Sequence, residues 1–357
     1  MGSYQIKVRR IVFRADGNAQ IGAGHIMRCL SLGMAARQLG MECIYIMADA
    51  SFKKTVEDYG FSCKILNSKY IKMDQEIDQT VQYIRMFTPE VMVVDSYFVS
   101  KSYLDKLHHW TKLVYIDDIK SFPYPVDYLI NYNAGVVRWN YADFYKKNQI
   151  KTPQLLLGER YIPLREEFQN MKYTPVKKEV TDILFSAGGA DPERVALEFA
   201  KKICCSEKTK QYRFHLVLGS FEPDTEELKQ LERQYSEICI HQNVTNMAKL
   251  MRECDLAVSA AGTTLYELCA CGIPTITYIL ADNQILGAES LCEKEIMKNA
   301  GDIRNKEDFW NGLSEMILKL CEDYEERERM RVNAMKSVDG KGAQHIIEAV
   351  LAEKPED

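Results

Sequence analysis

Apolar and polar positions along this chain follow two periods in turn. Ile11, Val12 and Phe13 form an unbroken apolar run that ends at Arg14 and Asp16, which reads as a strand. From His25 the spacing changes: Ile26, Leu30, Gly33, Met34 and Leu39 mark a helix that stops at Gly40, a residue suited to a C-cap. The alternation then repeats. CIYIM (43–47), FSCKIL (61–66), VMVVD (91–95), KLVYIDD (112–118) and YLINYNA (128–134) predict strands, with helices over 52–59, 74–87 and 100–109. Repeated strand–helix order predicts a parallel sheet covered by helices on both faces.

The segment 135–180 is less regular, with Pro153, Pro163, Pro175 and the charged run Lys177-Lys178-Glu179. It places a domain boundary near 170–178. A second alternation follows. DILFSAGG (182–189), RFHLVLG (213–219), EICIHQNV (237–244), DLAVSAAG (255–262) and PTITYIL (274–280) predict strands, with helices over 192–203, 224–236, 245–252 and 263–271. From 304 onward the chain reads as charged helix. The fold class expected is therefore α/β, with two Rossmann-like domains facing across a cleft, residues 1–172 and 173–357. A chain of 357 residues is also long for one core.

Composition narrows the function. The chain is 46% hydrophobic and 27% charged, as in ordinary globular proteins, and its net charge of −5 offers no basic face for nucleic acid. No apolar run is long enough to span a bilayer and no signal-peptide core opens the sequence, so a cytoplasmic protein is expected. The eleven cysteines form no CxxC pair, and Cys204–Cys205 and Cys269/Cys271 have no nearby His. Neither a metal nor a cofactor is expected. The partner expected is a small-molecule substrate, bound by a monomer or weak oligomer.

The densest chemistry lies in RADGNAQIGAGHIMR (14–28). Gly17, Gly22 and Gly24 let backbone approach a ligand, and the helix opening at His25 offers unpaired N–H groups. His25 and Ile26 replace the Lys and Ser/Thr of a Walker A loop, and Met27 replaces the third glycine of a dinucleotide fingerprint. His25 reads either as a base taking a proton from water or as a helix-start residue bonding a neighbour. At the same strand ends lie Asp95-Ser96-Tyr97, Asp117-Asp118, Asn131 and Asn133. Ser96 and Asp118 read as caps, whereas Asp95 and Tyr97 join His25 as catalytic candidates. Arg14, Gly22, Gly24, Arg28 and Asn131 are candidate substrate contacts.

Two junctions stand out in the second half. FSAGGADPE (185–193) sets Gly188 and Gly189 before Asp191-Pro192, and VSAAGTTLYEL (258–268) sets Ala260, Ala261 and Gly262 before Thr263 and Thr264. Small residues followed by hydroxyls at a helix start suit a diphosphate, and Glu267 one turn on can accept two sugar hydroxyls. The alternatives are an N-cap for the threonines and a surface acid for Glu267.

At this point the sequence resembles a known group. NVTNMAKLMRECDLAVSAAGTTLYELCACGIPTITYILADNQ (243–284) is similar to the nucleotide-binding half of GT-B UDP-sugar enzymes, the lipid II-forming N-acetylglucosaminyltransferase among them. RADGNAQIGAGHIMRCLSLG resembles the UDP-2,4-diacetamido-2,4,6-trideoxy-β-L-altropyranose hydrolase family of pseudaminic acid biosynthesis, as do VVDSYF (93–98), YIDD (115–118), LINYN (129–133), GERYIPLREEF (158–168) and SAGGADPE (186–193). The likeness implies His25 as general base, Tyr97 beside Asp95 near the reacting sugar, and Gly22 and Gly24 lining phosphate and sugar. It implies Gly189, Ala261, Thr263 and Glu267, with Gly262 and Thr264 between them, as the UDP site. Asn243–Val244 would frame the uracil, and Asn283 and Gln284 would meet the sugar. The activity implied is metal-independent, inverting hydrolysis of a UDP-linked diacetamido sugar. A GT-B glycosyltransferase using a UDP-amino sugar and a non-catalytic nucleotide-sugar binding protein are the alternatives.

Overall fold

The computed structural model describes residues 8–18, 20–188, 191, 193–219, 223–305 and 308–352. The first set of apolar runs forms β1 (Arg10–Ala15), β2 (Glu42–Met47), β3 (Ser62–Ile65), β4 (Val91–Asp95), β5 (Lys112–Ile116), β6 (Tyr128–Asn131) and β7 (Gln154–Leu157). These pair in parallel in the order β3-β2-β1-β4-β5-β6-β7. The intervening helices are α1 (Gly24–Gln38), α2 (Lys53–Asp58), α3 (Ile77–Phe87), α4 (Lys101–His108) and α5 (Tyr141–Lys147).

Strand alternation divides the core between the two faces. Val12, Ile44, Val94 and Tyr115 pack with Ile84, Leu104 and Leu107 on one side. On the other, Phe13 stacks on Tyr45 at 4.9 Å. There α1 sits so close to the sheet that a Cβ on Gly33 would lie 2.1 Å from the Tyr45 hydroxyl. That hydroxyl donates to the Cys29 carbonyl at 2.9 Å, which fixes the helix against β2.

The second set of runs forms β8 (Asp182–Ser186), β9 (Arg213–Leu218), β10 (Ile238–Gln242), β11 (Leu256–Ala260), β12 (Thr275–Ile279) and β13 (Met297–Asp302). Again all pairs are parallel, in the order β10-β9-β8-β11-β12-β13. Helices α6 (Val195–Phe199, continued by a π turn to Cys204), α7 (Thr225–Gln234), α8 (Met247–Glu253), α9 (Thr264–Cys271), α10 (Ile285–Glu293), α11 (Phe309–Glu322) and α12 (Tyr324–Ser337) accompany them. Phe185 stacks on Phe199 at 4.1 Å in the centre of this core.

The chain divides into one unit of Met1–Glu166 with Lys341–Asp357 and a second of Glu167–Gly340. This differs from the expected continuous second domain of 173–357. The last helix, α13 (Gly342–Leu351), packs on α1 of the first unit. Gly342 lies against Ile162 so closely that a Cβ would stand 2.2 Å from the Ile162 carbonyl oxygen, and Lys112 Nζ donates to the Val350 carbonyl at 3.0 Å.

Candidate functional site

In the first sheet the strand order reverses between β1 and β4, the position where open α/β sheets take ligands at their carboxyl ends. The loop after β1 is closed by Asn18. Its Oδ1 accepts the amides of Gln20 (2.9 Å) and Ile21 (3.1 Å), and its own amide donates to Gly22 O at 3.1 Å. Gly22 has φ +70, and a Cβ on Gly22 or Gly24 would meet nothing within 4 Å, so the space over this part of the loop is open. Gly17 serves packing instead: its Cβ would lie 2.9 Å from Ile26 and Phe52 side-chain atoms. Helix α1 starts without a side-chain cap or an acid in its first turn, which leaves its positive end unopposed.

His25 is 5% exposed. Its Nδ1 lies 3.4 Å from the Asp95 carbonyl oxygen and 3.6 Å from Asp95 Oδ1, and its ring meets Tyr97 edge-on at 4.5 Å. A proton on Nδ1 shared with these oxygens leaves the lone pair on Nε2, the tautomer a base requires. Both sequence readings of His25 thus fit one geometry: the ring bonds a neighbour, and that bond orients it.

Asp95 is fully buried, and Arg28 donates to both its oxygens, Nε to Oδ2 and Nη2 to Oδ1, each at 2.5 Å. Arg28 Nη1 reaches Asp118 Oδ2 at 2.8 Å and also bonds the Tyr132 hydroxyl. Tyr97 OH donates to the same Asp118 oxygen at 3.3 Å, and Asn133 Nδ2 to the other at 3.3 Å. Burial pushes the Asp118 carboxyl up, but Arg28 outweighs it and holds the group below the usual carboxylate range. Burial and the Asp118 charge push the Tyr97 phenol to about 12, so it donates hydrogen bonds at neutral pH.

Several expectations change here. Arg28 is engaged by Asp95, Asp118 and Tyr132 rather than held out for substrate. Arg14 is fully buried, donating to Glu76 at 2.7 and 3.1 Å and to Asp16 at 2.6 Å, which leaves it no face for a ligand. Asn131 is buried as well, bonding the Tyr141 hydroxyl and the Asn133 amide. Asp95, read as catalytic, has both oxygens held by Arg28 and lies against the His25 ring, 3.6 Å from its Nδ1. Conversely Asp118, read as a cap, is the node joining Arg28, Tyr97 and Asn133. Its sequence signal was the doubled acid YIDD: Asp117 takes the turn amides of Ile119 and Lys120, which frees Asp118 for the network.

The second sheet reverses between β8 and β11, and both small-residue loops follow these strands. Ala261 N is spent on Tyr278 O (2.9 Å) and Gly262 N on Ala260 O (2.8 Å). The Thr263 and Thr264 amides donate to no carbonyl among the described residues, and the Thr263 side chain makes no cap bond. Capping therefore does not account for the Thr263 hydroxyl. Thr263 is exposed, Thr264 and Glu267 are half-buried, and a Cβ on Gly262 would meet nothing within 4 Å. Across the switch point, Asp191 caps α6 through the Val195 (2.9 Å) and Ala196 (2.7 Å) amides. Gly188 has φ +99, and Gly189 lies outside the described residues. Val244 is half-buried beside Asn243, whose φ is +52, and Asn283 is exposed. Gln284 turns its Oε1 inward to the Leu280 amide at 2.8 Å. Among the described residues no His, Cys, Asp and Glu group is placed to hold a metal, and no helix is long and apolar enough to cross a membrane.

Residues 184–352 match the glycosyltransferase family 28 C-terminal domain. The chain is 27% identical over 77% of its length to the uncharacterized protein MJ1062 of Methanocaldococcus jannaschii, and spans 56% of that protein. It is 26% identical over 72% of its length to the UDP-2,4-diacetamido-2,4,6-trideoxy-beta-L-altropyranose hydrolase of Campylobacter jejuni, covering 87% of it. In fold it is similar to Acinetobacter baumannii MurG, with a TM-score of 0.68 and 12% identity over 96% of this chain and 99% of that one. The architecture is thus two Rossmann-like domains of the GT-B type.

Proposed function

We propose that this homologue of the UDP-diacetamido-trideoxy-altropyranose hydrolases cleaves the anomeric C–O bond of a UDP-linked 2,4-diacetamido-2,4,6-trideoxy sugar. Water attacks the anomeric carbon, the bond to the diphosphate oxygen breaks, and its electron pair leaves with UDP. His25 Nε2 takes the proton of the attacking water, and attack in line with the leaving diphosphate inverts the configuration. The Thr263 and Thr264 amides, with the Thr263 hydroxyl at the positive end of α9, receive the diphosphate charge without a metal. Ala261 and Gly262 allow its approach, and Glu267 accepts ribose hydroxyls. Val244, Asn283, Gly189 and the open space at Gly22 and Gly24 complete the substrate contacts.

The observation that carries this reading is the orientation of His25: Nδ1 is turned to Asp95, and Nε2 has no hydrogen-bond partner among the described residues. The test is UDP release from a panel of UDP-diacetamido sugars with no acceptor added, with NMR of the first-formed anomer. Release of UDP and the inverted free sugar is expected.

A second reading, glycosyl transfer from a UDP-amino sugar, is favoured by the family 28 match. It requires that UDP appear only when an acceptor alcohol is supplied. Intact UDP-sugar under both conditions would leave a binding protein.

A further inference from the structure

The second unit holds a cavity of about 390 Å³, lined by α8, the end of α9, α12 and the 167–174 segment. That volume lies in the range of small-molecule sites, roughly 300–1,000 Å³. It sits at the far end of the domain from the nucleotide loop. Thr264 begins α9 beside that loop, whereas Cys271, its last residue, lines the cavity. Seven helical steps separate the two by about 10 Å.

Its charges are unbalanced. Arg331 is only 8% exposed, yet it bonds no carboxylate among the described residues: Nε donates to Gly272 O at 2.7 Å, and Nη1 to the Thr174 carbonyl and hydroxyl. Arg252 shares the cavity, is exposed, and has no hydrogen-bond or ion-pair partner among the described residues. Burial holds the Arg331 cation below its ordinary range against the pull of Glu328 and Asp255, and the Arg252 charge adds to the effect of burial. Lys249 is a third cation, 3.9 Å from Glu253, and Glu167 is the second acid of the lining. Three cations thus face two carboxylates. A buried guanidinium that no carboxylate contacts directly is costly, and a second one beside it adds repulsion that an anion relieves. Forked donors from two arginines match the oxygens of phosphate or carboxylate groups.

We propose that this cavity is a second binding site, distinct from the nucleotide loop, for a small multiply charged anion held between Arg252 and Arg331. The probe is inorganic pyrophosphate, titrated calorimetrically into the full chain with and without saturating UDP. Citrate in a parallel titration separates phosphate from carboxylate recognition. A binding event that UDP does not displace, weakened about tenfold or more by Arg252→Gln, is the expected result. Arg252 is exposed, so that variant tests the site even if Arg331→Gln fails to fold. Binding of neither anion at millimolar concentration, an event abolished by UDP, or unchanged affinity in Arg252→Gln overturns the proposal. Because UDP competition and the Arg252 dependence are read separately, failure of the nucleotide assignment does not mimic failure here.

Discussion

Arg28 holds both carboxylate oxygens of Asp95 at 2.5 Å, with Asp95 wholly inside the protein. Removing one member of such a pair strands the other charge, at a cost of about 3–5 kcal/mol. Arg28→Gln is therefore expected to lower stability by that amount in urea unfolding. Arg28→Lys recovers only part, because an ammonium does not match the two oxygens together. Full stability in either variant would contradict the pairing described.

His25→Asn keeps a polar side chain at the start of α1 but removes the basic nitrogen. A positioned general base contributes about 10²–10⁴-fold. A loss of kcat in that range, with UDP affinity retained, is expected from steady-state assay and equilibrium binding. Near-normal turnover would exclude the role.

Thr263→Val removes a hydroxyl that the helix does not use for capping. The variant should unfold at the parent's urea midpoint while binding UDP more weakly, by about tenfold for one lost bond to a charged group. An unchanged dissociation constant would take Thr263 out of the diphosphate site.

Acid should destabilise the protein in two stages. Burial and the neighbouring His215 hold His241 below its ordinary value, so its contribution is complete above about pH 6.5 and is lost as pH falls toward its folded value. Asp118, held down by Arg28 against its burial, and Asp182, held down by Arg213, Thr181 and His215 against its burial, bind protons less readily when folded. Their contribution is complete above about pH 4 and declines below it. Urea midpoints measured from pH 8 to pH 3 check both stages. In His241→Gln the upper stage should disappear.

Much of this molecule was legible from periodicity. Apolar runs such as VMVVD and DLAVSAAG became buried central strands, and the Gly-rich and small-residue junctions fell at the two switch points because strand order puts them there. What stayed hidden depended on distant partners. Arg14 reads as a substrate contact where the first strand ends, yet Glu76, its main partner, lies 62 positions away. A charge following IVF in a strand covered on both faces needs such a partner, a signal that local spacing does not name. β7 and α5 lie in the segment that looked irregular, being only 4 and 7 residues long. The destination of α13 was equally invisible, since an apolar helix stripe does not say which sheet it covers.

Gly342 provides the test of that last contact. A methyl group there would press on the Ile162 backbone, which cannot rotate aside. Gly342→Ala should cost about 1–3 kcal/mol, the usual penalty of overpacking. Calorimetry should register it as lowered stability, and an unchanged Tm would refute the close approach.

Because α13 belongs with strands that precede the whole second unit, the first unit is left incomplete on the ribosome until residues 342–351 have been made. Its missing layer emerges only after the whole of the intervening unit has been synthesised. A nascent chain arrested before Gly342 would therefore display a bare flank of α1, a surface for chaperones to meet before any substrate does.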